Sequence, residues 1–133
     1  MKLRRDSKGI VEKEILHQAI DALMPKEVPV CKGRTFYVYT LAREDGIYVG
    51  YTENPYRRLE EHCKYEEVSK RIIEVLAFEV FRTLVEALLR EEELHRYYNL
   101  PYNAFSWGVI NNPKNKDQLA LALDLLRKLS KER

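Results

Sequence analysis

The chain has 133 residues, of which 45% are hydrophobic, and this suits one compact domain with a core. It carries 23 Lys and Arg residues against 21 Asp and Glu residues, a formal net charge of only +2. This excludes the class of strongly basic proteins that coat nucleic acid, so any surface that binds nucleic acid must rest on a local concentration of positive charge. Neither a signal peptide nor an apolar stretch that could span a bilayer is evident, and Cys31 and Cys63 lack the spacing of a zinc site or disulfide framework. We therefore expect a cytoplasmic protein.

The first half of the sequence predicts a helix followed by a β-hairpin. Apolar residues recur at helical spacing from Ile10 to Met24, and Pro25 to Arg34 is expected to be extended because its prolines and glycine oppose helix. Thr35 to Leu41 and Ile47 to Thr52 are rich in β-branched and aromatic residues, which predicts two strands. The Asp-Gly pair within Arg43 to Gly46 predicts the tight turn between them.

A second helix and a third strand are predicted next. Asn54 as N-cap and Pro55 at the first helical position indicate a helix that runs to about Lys64. Residues 65–70 are ambiguous and are compatible with a short helix. Ile72 to Phe81 predicts a strand. We expect its alternation to place on one face Leu76, Phe78 and Val80, and on the other Glu79 and Phe81.

Two more helices complete the predicted order. Thr83 can cap a long helix that runs to about Tyr98 and ends at Leu100-Pro101, and residues 103–112 are expected to form a loop. Lys116 to Lys131 predicts a last amphipathic helix. The order predicts an α+β fold with a small three-stranded antiparallel sheet flanked by helices, including extra N- and C-terminal helices.

Tyrosines of the hairpin are the first candidate functional residues. Tyr37 and Tyr39 share one strand face because side chains alternate along a strand, and Tyr48 on the partner strand could join them. Aromatic cross-strand pairs also stabilise ordinary hairpins, and on this observation alone the structural role is the favoured one.

Arg58 and His62 are four residues apart and therefore share a face of the helix that Asn54 and Pro55 begin. An arginine and a histidine near a helix N-terminus suit a phosphate site. A solvated helix face that pairs with Glu61 or Glu66 is at least as good an interpretation of the same residues.

A carboxylate interrupts the apolar stripe of the Thr83 to Tyr98 helix. The stripe comprises Leu84, Ala87, Leu88, Leu94 and Tyr98. Glu91 lies inside it, whereas Glu86 and Glu93 project to the opposite side. A carboxylate facing a core costs several kcal/mol unless a cation meets it, so a metal ion or an arginine is the natural partner. His95, one turn later, is a candidate second ligand, although a packed histidine is the more common case.

Taken in order, these features resemble the GIY-YIG nuclease family. The resemblance covers about residues 35–104 and is carried by Tyr37-Val38-Tyr39, Tyr48-Val49-Gly50-Tyr51-Thr52, Asn54-Pro55, Arg58 to His62, Glu86 to Glu91, and Pro101-Tyr102-Asn103. Tyr37 stands where the family usually has glycine, and the two tyrosine motifs are a residue or two closer than usual. We assign the first functional tyrosine to Tyr39, with Tyr37 as the alternative. His62 occurs in only part of the family.

The resemblance implies a metal-dependent endonuclease that hydrolyses phosphodiester bonds in DNA. It implies catalytic roles for Tyr39, Tyr48, Arg58, His62, Glu91 and Asn103. Glu91 would hold one divalent metal ion, with Mg²⁺ or Mn²⁺ expected, and Arg58 would neutralise charge in the transition state. The tyrosines would position or deprotonate the attacking water, and Asn103 would orient a neighbouring group. An unperturbed tyrosine has a pKa of ~10, so a base role requires that pKa to be lowered.

We expect residues 1–133 to form a single domain. It would comprise an N-terminal helix and connector (10–34), a nuclease-like core (35–104), and a C-terminal loop and helix (105–133). A catalytically silent nucleic-acid-binding module of the same fold is the alternative function, and a protein-interaction domain is a second rival. DNA is the expected partner, a membrane is not, and a homodimer is compatible with these functions. Basic residues near the N-terminus, including Arg4, Arg5 and Lys8, are candidate DNA contacts.

Overall fold

Three antiparallel strands and four α-helices form the frame of the protein in a computed structural model, which describes residues 2–26, 34–64, 67–100 and 116–131. In chain order the elements are α1 (Lys13–Leu23), β1 (Phe36–Arg43), β2 (Gly46–Thr52), α2 (Pro55–Lys64), a 3-10 turn (Val68–Lys70), β3 (Ile72–Phe81), α3 (Leu84–Tyr97) and α4 (Lys116–Lys131). The strand order is β2-β1-β3. The predicted α+β fold with an antiparallel sheet is confirmed.

The sheet separates two apolar cores. On one face, α1 and α2 pack over a cluster that includes Leu16, Ile20, Tyr39, Leu59 and Phe78. On the other face, α3 packs over a cluster that includes Phe36, Val38, Val49, Leu84 and Leu88. Helix α4 lies against α3. The side chains of the leucines that make its sequence amphipathic, Leu119, Leu123, Leu126 and Leu129, lie outside those that the structure describes. None of the described helices is long and apolar enough to cross a membrane.

The hairpin turn consists of Glu44 and Asp45, and Gly46 is the first residue of β2. Register pairs Arg43 with Gly46, so the loop between the strands has two residues. Gly46 adopts a φ of 121°, which glycine reaches more readily than any other residue. The predicted Asp-Gly turn is confirmed on this geometry.

Strand β3 has the predicted bounds, and the predicted alternation holds from Phe78 to Phe81 but fails at Leu76. Its pairing with β1 shifts register twice, and Leu76 is left without a partner where Thr40 pairs with Ala77 and Leu41 pairs with Val75. These bulges place Ile72, Val75 and Phe78, each three residues apart, in the same core. The expectation that faces alternate through Leu76 is therefore wrong.

Helix α1 begins at Lys13 instead of Ile10 because the preceding residues form a turn. The Asp6 carboxylate accepts hydrogen bonds from the backbone N–H groups of Lys8 and Ile10, at 2.8 and 2.9 Å. Gly9 adopts a φ of 78° in this turn. An aspartate side chain that bonds to backbone two and four residues ahead competes with helix formation.

Arg5 ties the N-terminal residues to β3. Its guanidinium donates to the backbone carbonyl of Ile72 at 2.8 Å and to that of Gly9 at 3.1 Å. The Leu3 N–H also donates to the carbonyl of Ile73, at 2.9 Å. The N-terminal segment is thus packed against β3, and backbone carbonyls already bind the Arg5 guanidinium.

Helix α3 begins with a side-chain cap from Thr83. The Thr83 hydroxyl accepts from the Glu86 backbone N–H at 3.1 Å and donates to the Glu86 carboxylate at 3.2 Å. The predicted cap is confirmed, and it fixes the start of the helix that carries Glu91.

Replacement of Thr83 by alanine is expected to lower the free energy of unfolding by about 1 kcal/mol, because an N–H of the first turn loses its acceptor. Urea unfolding followed by circular dichroism would measure the loss. Thr83→Ser is the matched control and should keep most of the stability, since serine caps as well as threonine. Equal midpoints for the alanine variant and the wild type would contradict this role.

Candidate active site

Two tyrosines from neighbouring strands and a histidine from α2 meet on one face of the sheet. Tyr39, on the central strand, is fully buried, and its hydroxyl lies 2.9 Å from His62 Nε2. The Tyr48 ring centre lies 6.0 Å from that of Tyr39 and 5.2 Å from that of His62. We call Tyr39, Tyr48, His62 and the neighbouring Arg58 the tyrosine cluster.

Arg58 brings a cation to the tyrosine cluster. Its guanidinium interacts with the hydroxyl groups of Tyr39 and Tyr48. It also pairs with the Glu61 carboxylate at 3.3 Å, which is the surface ion pair considered from the sequence. The Arg58 side chain remains 42% exposed, so the guanidinium can still meet a phosphate from solvent.

Burial sets the protonation of Tyr39 and His62. Desolvation raises the pKa of Tyr39 well above its ordinary value, with Tyr48 adding to the rise and Arg58 opposing it. Desolvation, with Arg58 and Arg43, lowers the pKa of His62 to about 4. Near neutral pH Tyr39 is protonated and His62 is neutral, and because arginine only donates, the Tyr39 O–H is best satisfied by donating to His62 Nε2. Tyr39 is therefore suited to position a group and unsuited to remove a proton.

Gly50 allows the two tyrosine rings to approach each other. It is buried and lies opposite Tyr39 in the register of β1 and β2. A Cβ at this position would lie 2.5 Å from the Tyr39 hydroxyl oxygen and 2.9 Å from Cε1 of Tyr48. Real Cβ atoms essentially never approach other atoms that closely, so a larger residue would have to displace a ring.

The Gly50→Ala substitution is expected to lower the free energy of unfolding by about 1–3 kcal/mol, as overpacking does in a dense core. In a Tyr39→Phe background the loss should be smaller, because phenylalanine lacks the closest atom. Chemical unfolding of the four proteins of this cycle would measure the difference. A loss that is the same in both backgrounds would show that Gly50 is needed for a reason other than contact with the Tyr39 hydroxyl.

Arg43 is a second cation beside the tyrosine cluster, and its position there was not predicted from the sequence. Its guanidinium carbon lies 4.5 Å from the centre of the Tyr48 ring. Two hydrogen bonds to Asp45, at 2.8 and 2.7 Å, hold it there. Register pairs Leu41 with Tyr48, so Arg43 is the diagonal neighbour of Tyr48 on the same face. Pairing the two predicted strands on either side of the Asp45-Gly46 turn could have revealed this contact.

Glu91 is buried, as its position in the apolar stripe predicted. It is 6% exposed, and desolvation raises its pKa to about 8. Within the described part of the chain, its carboxylate has a polar contact with His95, whose Nε2 lies 3.8 Å away. A buried carboxylate without an arginine or lysine partner in that part of the chain fits a divalent cation, since oxygen ligands are what Mg²⁺ and Mn²⁺ prefer.

His95 connects α3 to the strand that carries Tyr48. It is 8% exposed, and its Nε2 lies 3.2 Å from the backbone carbonyl of Val49. Val49 directly follows Tyr48 on β2, which is an edge strand. This contact brings the helix of Glu91 against β2, and it matches the interpretation of His95 as a packed residue.

Glu92 is a second buried carboxylate on α3, and its burial was not predicted from the sequence. It is 6% exposed, like Glu91. Unlike Glu91, it is paired with an arginine, because Nε of Arg96 lies 2.5 Å from its Oε1. Its i,i+4 spacing to Arg96 was visible in the sequence and could have identified the pair.

The predicted site residues that the structure describes thus fall into two groups. Tyr39, Tyr48, Arg58 and His62 contact one another, whereas the described polar contact of Glu91 is with His95. Asn103 lies outside the described residues. Tyr37 pairs with Thr52 in register, and it contributes to the raised pKa of Tyr56. No group of three or more His, Cys, Asp or Glu side chains that could hold a metal ion occurs among the residues described.

A model of a known protein family matches this chain. The model of the GIY-YIG catalytic domain matches residues 35–103, slightly more than half of the chain. No curated protein and no solved structure matches the chain significantly. The family match spans both the tyrosine cluster and Glu91. The chain therefore belongs to the GIY-YIG nuclease family.

Proposed function

We propose that this protein is an endonuclease that hydrolyses phosphodiester bonds in DNA and depends on a divalent metal ion, Mg²⁺ or Mn²⁺. The observation that carries the proposal is the buried Glu91 carboxylate, on a helix held by His95 against the strand of Tyr48. A carboxylate in that position is unfavourable without a cation and favourable with one. The family match supplies the reaction class.

Glu91 would hold the metal ion, and one carboxylate leaves the remaining coordination positions to water and phosphate oxygens. When bound, the ion would neutralise charge on the phosphate and make it a better electrophile. We propose Glu91 as the sole protein ligand of the metal ion.

The tyrosine cluster would bind and orient the scissile phosphate and the attacking water. Arg58 would donate hydrogen bonds to the non-bridging oxygens, where negative charge grows in the transition state. Tyr39 would hold Arg58 and Tyr48 in place, since its high pKa keeps it protonated. Tyr48, which is only partly buried, would contact the water. His62 would accept the hydrogen bond that the Tyr39 hydroxyl donates.

Asn103 is proposed, from the family resemblance, to orient a neighbouring group. We also propose that residues 1–133 form one domain around a nuclease core at 35–104, and that the protein acts in the cytoplasm. A homodimer receives no support from the fold or from the family match.

A plasmid-nicking assay tests the proposal. Supercoiled DNA should become nicked circles in the presence of Mg²⁺ or Mn²⁺ and should stay intact in EDTA. Glu91→Gln should lower the rate at least about a hundredfold, because the amide is a poor ligand for these ions. A wild-type protein that binds the plasmid and leaves it intact with both ions would establish the alternative, a catalytically silent binding module.

A further inference from the structure

A cavity of about 490 Å³ lies beside α2, away from the tyrosine cluster. Its walls come from the N-terminal turn, the start of α1, the last turns of α2 and the residue before β3. The residues lining it are Lys8, Gly9, Ile10, Val11, Lys13, Leu16, Glu60, Cys63, Lys64 and Arg71. On α2, Glu60 and Lys64 project opposite to Arg58 and His62, so the helix separates the cavity from the cluster.

Positive charge is concentrated at this cavity. Four of its lining residues are basic and one is acidic, a net charge of +3 in a chain whose whole net charge is +2. The one carboxylate, Glu60, pairs with His17 at 2.5 Å and with Lys13 at 3.8 Å, and the net charge of +3 includes the charges of both Glu60 and Lys13. Such a concentration of charge in a concave surface attracts phosphate groups.

The cavity also has an apolar wall. Val11 and Leu16 are buried, and Ile10 lines the cavity while 56% of its surface stays exposed. Arg71 contributes a planar guanidinium that lies against Gly9, within 3.1 Å of where a Cβ would stand. A lone phosphate would leave this wall uncovered, and the volume is that of a small-molecule site.

We propose that this cavity binds a nucleotide, with the phosphate on the basic residues and the base against the apolar wall. The choice of a nucleotide over other amphipathic anions rests on the proposed nuclease function, which brings nucleic acid to the protein. The nucleotide could be free or could be the phosphorylated end of a DNA strand, because both present the same chemistry. A strand end bound here would fix the distance along the DNA between that end and the cleaved bond, because the strand would have to pass around α2 to reach the tyrosine cluster.

Calorimetric titration with deoxyadenosine 5′-monophosphate tests the proposal. The measurement uses Glu91→Gln protein without metal, so that its outcome does not depend on whether the chain cleaves DNA. Lys13→Ala combined with Lys64→Ala should weaken binding at least about tenfold, because charge-assisted contacts to phosphate are lost. Lys70→Ala is the matched control, since Lys70 is an exposed lysine that does not line the cavity. Inorganic phosphate should bind at least about tenfold more weakly than the nucleotide, because it cannot cover the apolar wall.

Alkylation of Cys63 gives a second readout at the cavity itself. In a Cys31→Ser background, the nucleotide should slow modification of Cys63, and the double lysine variant should abolish this protection. Oligonucleotides with and without a 5′-phosphate identify the source: competition by the phosphorylated strand alone indicates a strand end, and no competition by either indicates a free nucleotide. The proposal is overturned if the nucleotide does not bind, if the double variant binds it as well as the wild type, or if phosphate binds equally tightly.

Discussion

Arg58→Ala is expected to lower the rate of plasmid nicking about a thousandfold, the range seen when a donor to a developing anionic charge is removed. The guanidinium is placed for this role because it interacts with both tyrosine hydroxyls while its side chain stays 42% exposed. Desolvation opposes the charged form of Arg58, yet the pKa is raised because Tyr39 and Tyr48 favour the cation. The loss should appear mainly in kcat, since the charge it meets grows in the transition state.

Arg57→Ala is the matched control for this prediction. Arg57 is the preceding residue of α2 and pairs with the same carboxylate, Glu61, at 3.4 Å, but its side chain is 77% exposed. Its loss should change the nicking rate by no more than about threefold, in line with an exposed contact. Arg58→Lys should fall between the two, because lysine keeps the charge without the planar pair of donors. Equal rates for the two alanine variants would remove Arg58 from the mechanism.

Local signals in the sequence predicted most element boundaries. Asn54-Pro55, Asp45-Gly46 and Thr83 each act on backbone within a few residues, so they could be interpreted without knowing the fold. The predicted start of α1, at Ile10, was wrong, although Asp6 and Gly9 gave a local signal for a turn before the helix. The bulge at Leu76 could not be predicted, because it depends on how β3 meets β1 rather than on β3 alone.

Predicting the candidate site from sequence required more than local signals. Glu91 was identified because helical spacing sets its burial before any tertiary contact is known. The contact of Tyr39 with His62 joins residues 23 apart, and the stacking of Arg43 on Tyr48 depends on the hairpin register. Protonation could not be predicted, since the pKa shifts of Tyr39 and His62 arise chiefly from desolvation by neighbours distant in sequence.

Glu91 is expected to make the metal-free protein less stable as pH rises. Its folded-state pKa of about 8 lies above its ordinary value of 4.5, so folding favours the protonated carboxyl. This contribution is complete below about pH 4.5 and is lost as pH rises through about 8. Between about pH 5 and about pH 8, the free energy of unfolding of the wild type should fall by about 3 kcal/mol more than that of Glu91→Gln, whose amide does not ionise. Urea unfolding in EDTA measures the free energy of unfolding of both proteins. The contribution of His62 to its pH dependence cancels in the comparison, because both proteins retain His62.

Adding Mg²⁺ or Mn²⁺ at about pH 8 is expected to restore this stability in the wild type, because an ion that binds only the folded state stabilises it by mass action. Glu91→Gln should show no such gain. Glu92→Gln is the matched control, since Glu92 is buried to the same 6% but is paired with Arg96. It should be destabilised at both pH values by loss of that pair and should keep the gain from the metal. A gain of equal size in Glu91→Gln would place the ion elsewhere, and the buried carboxylate would then require another explanation.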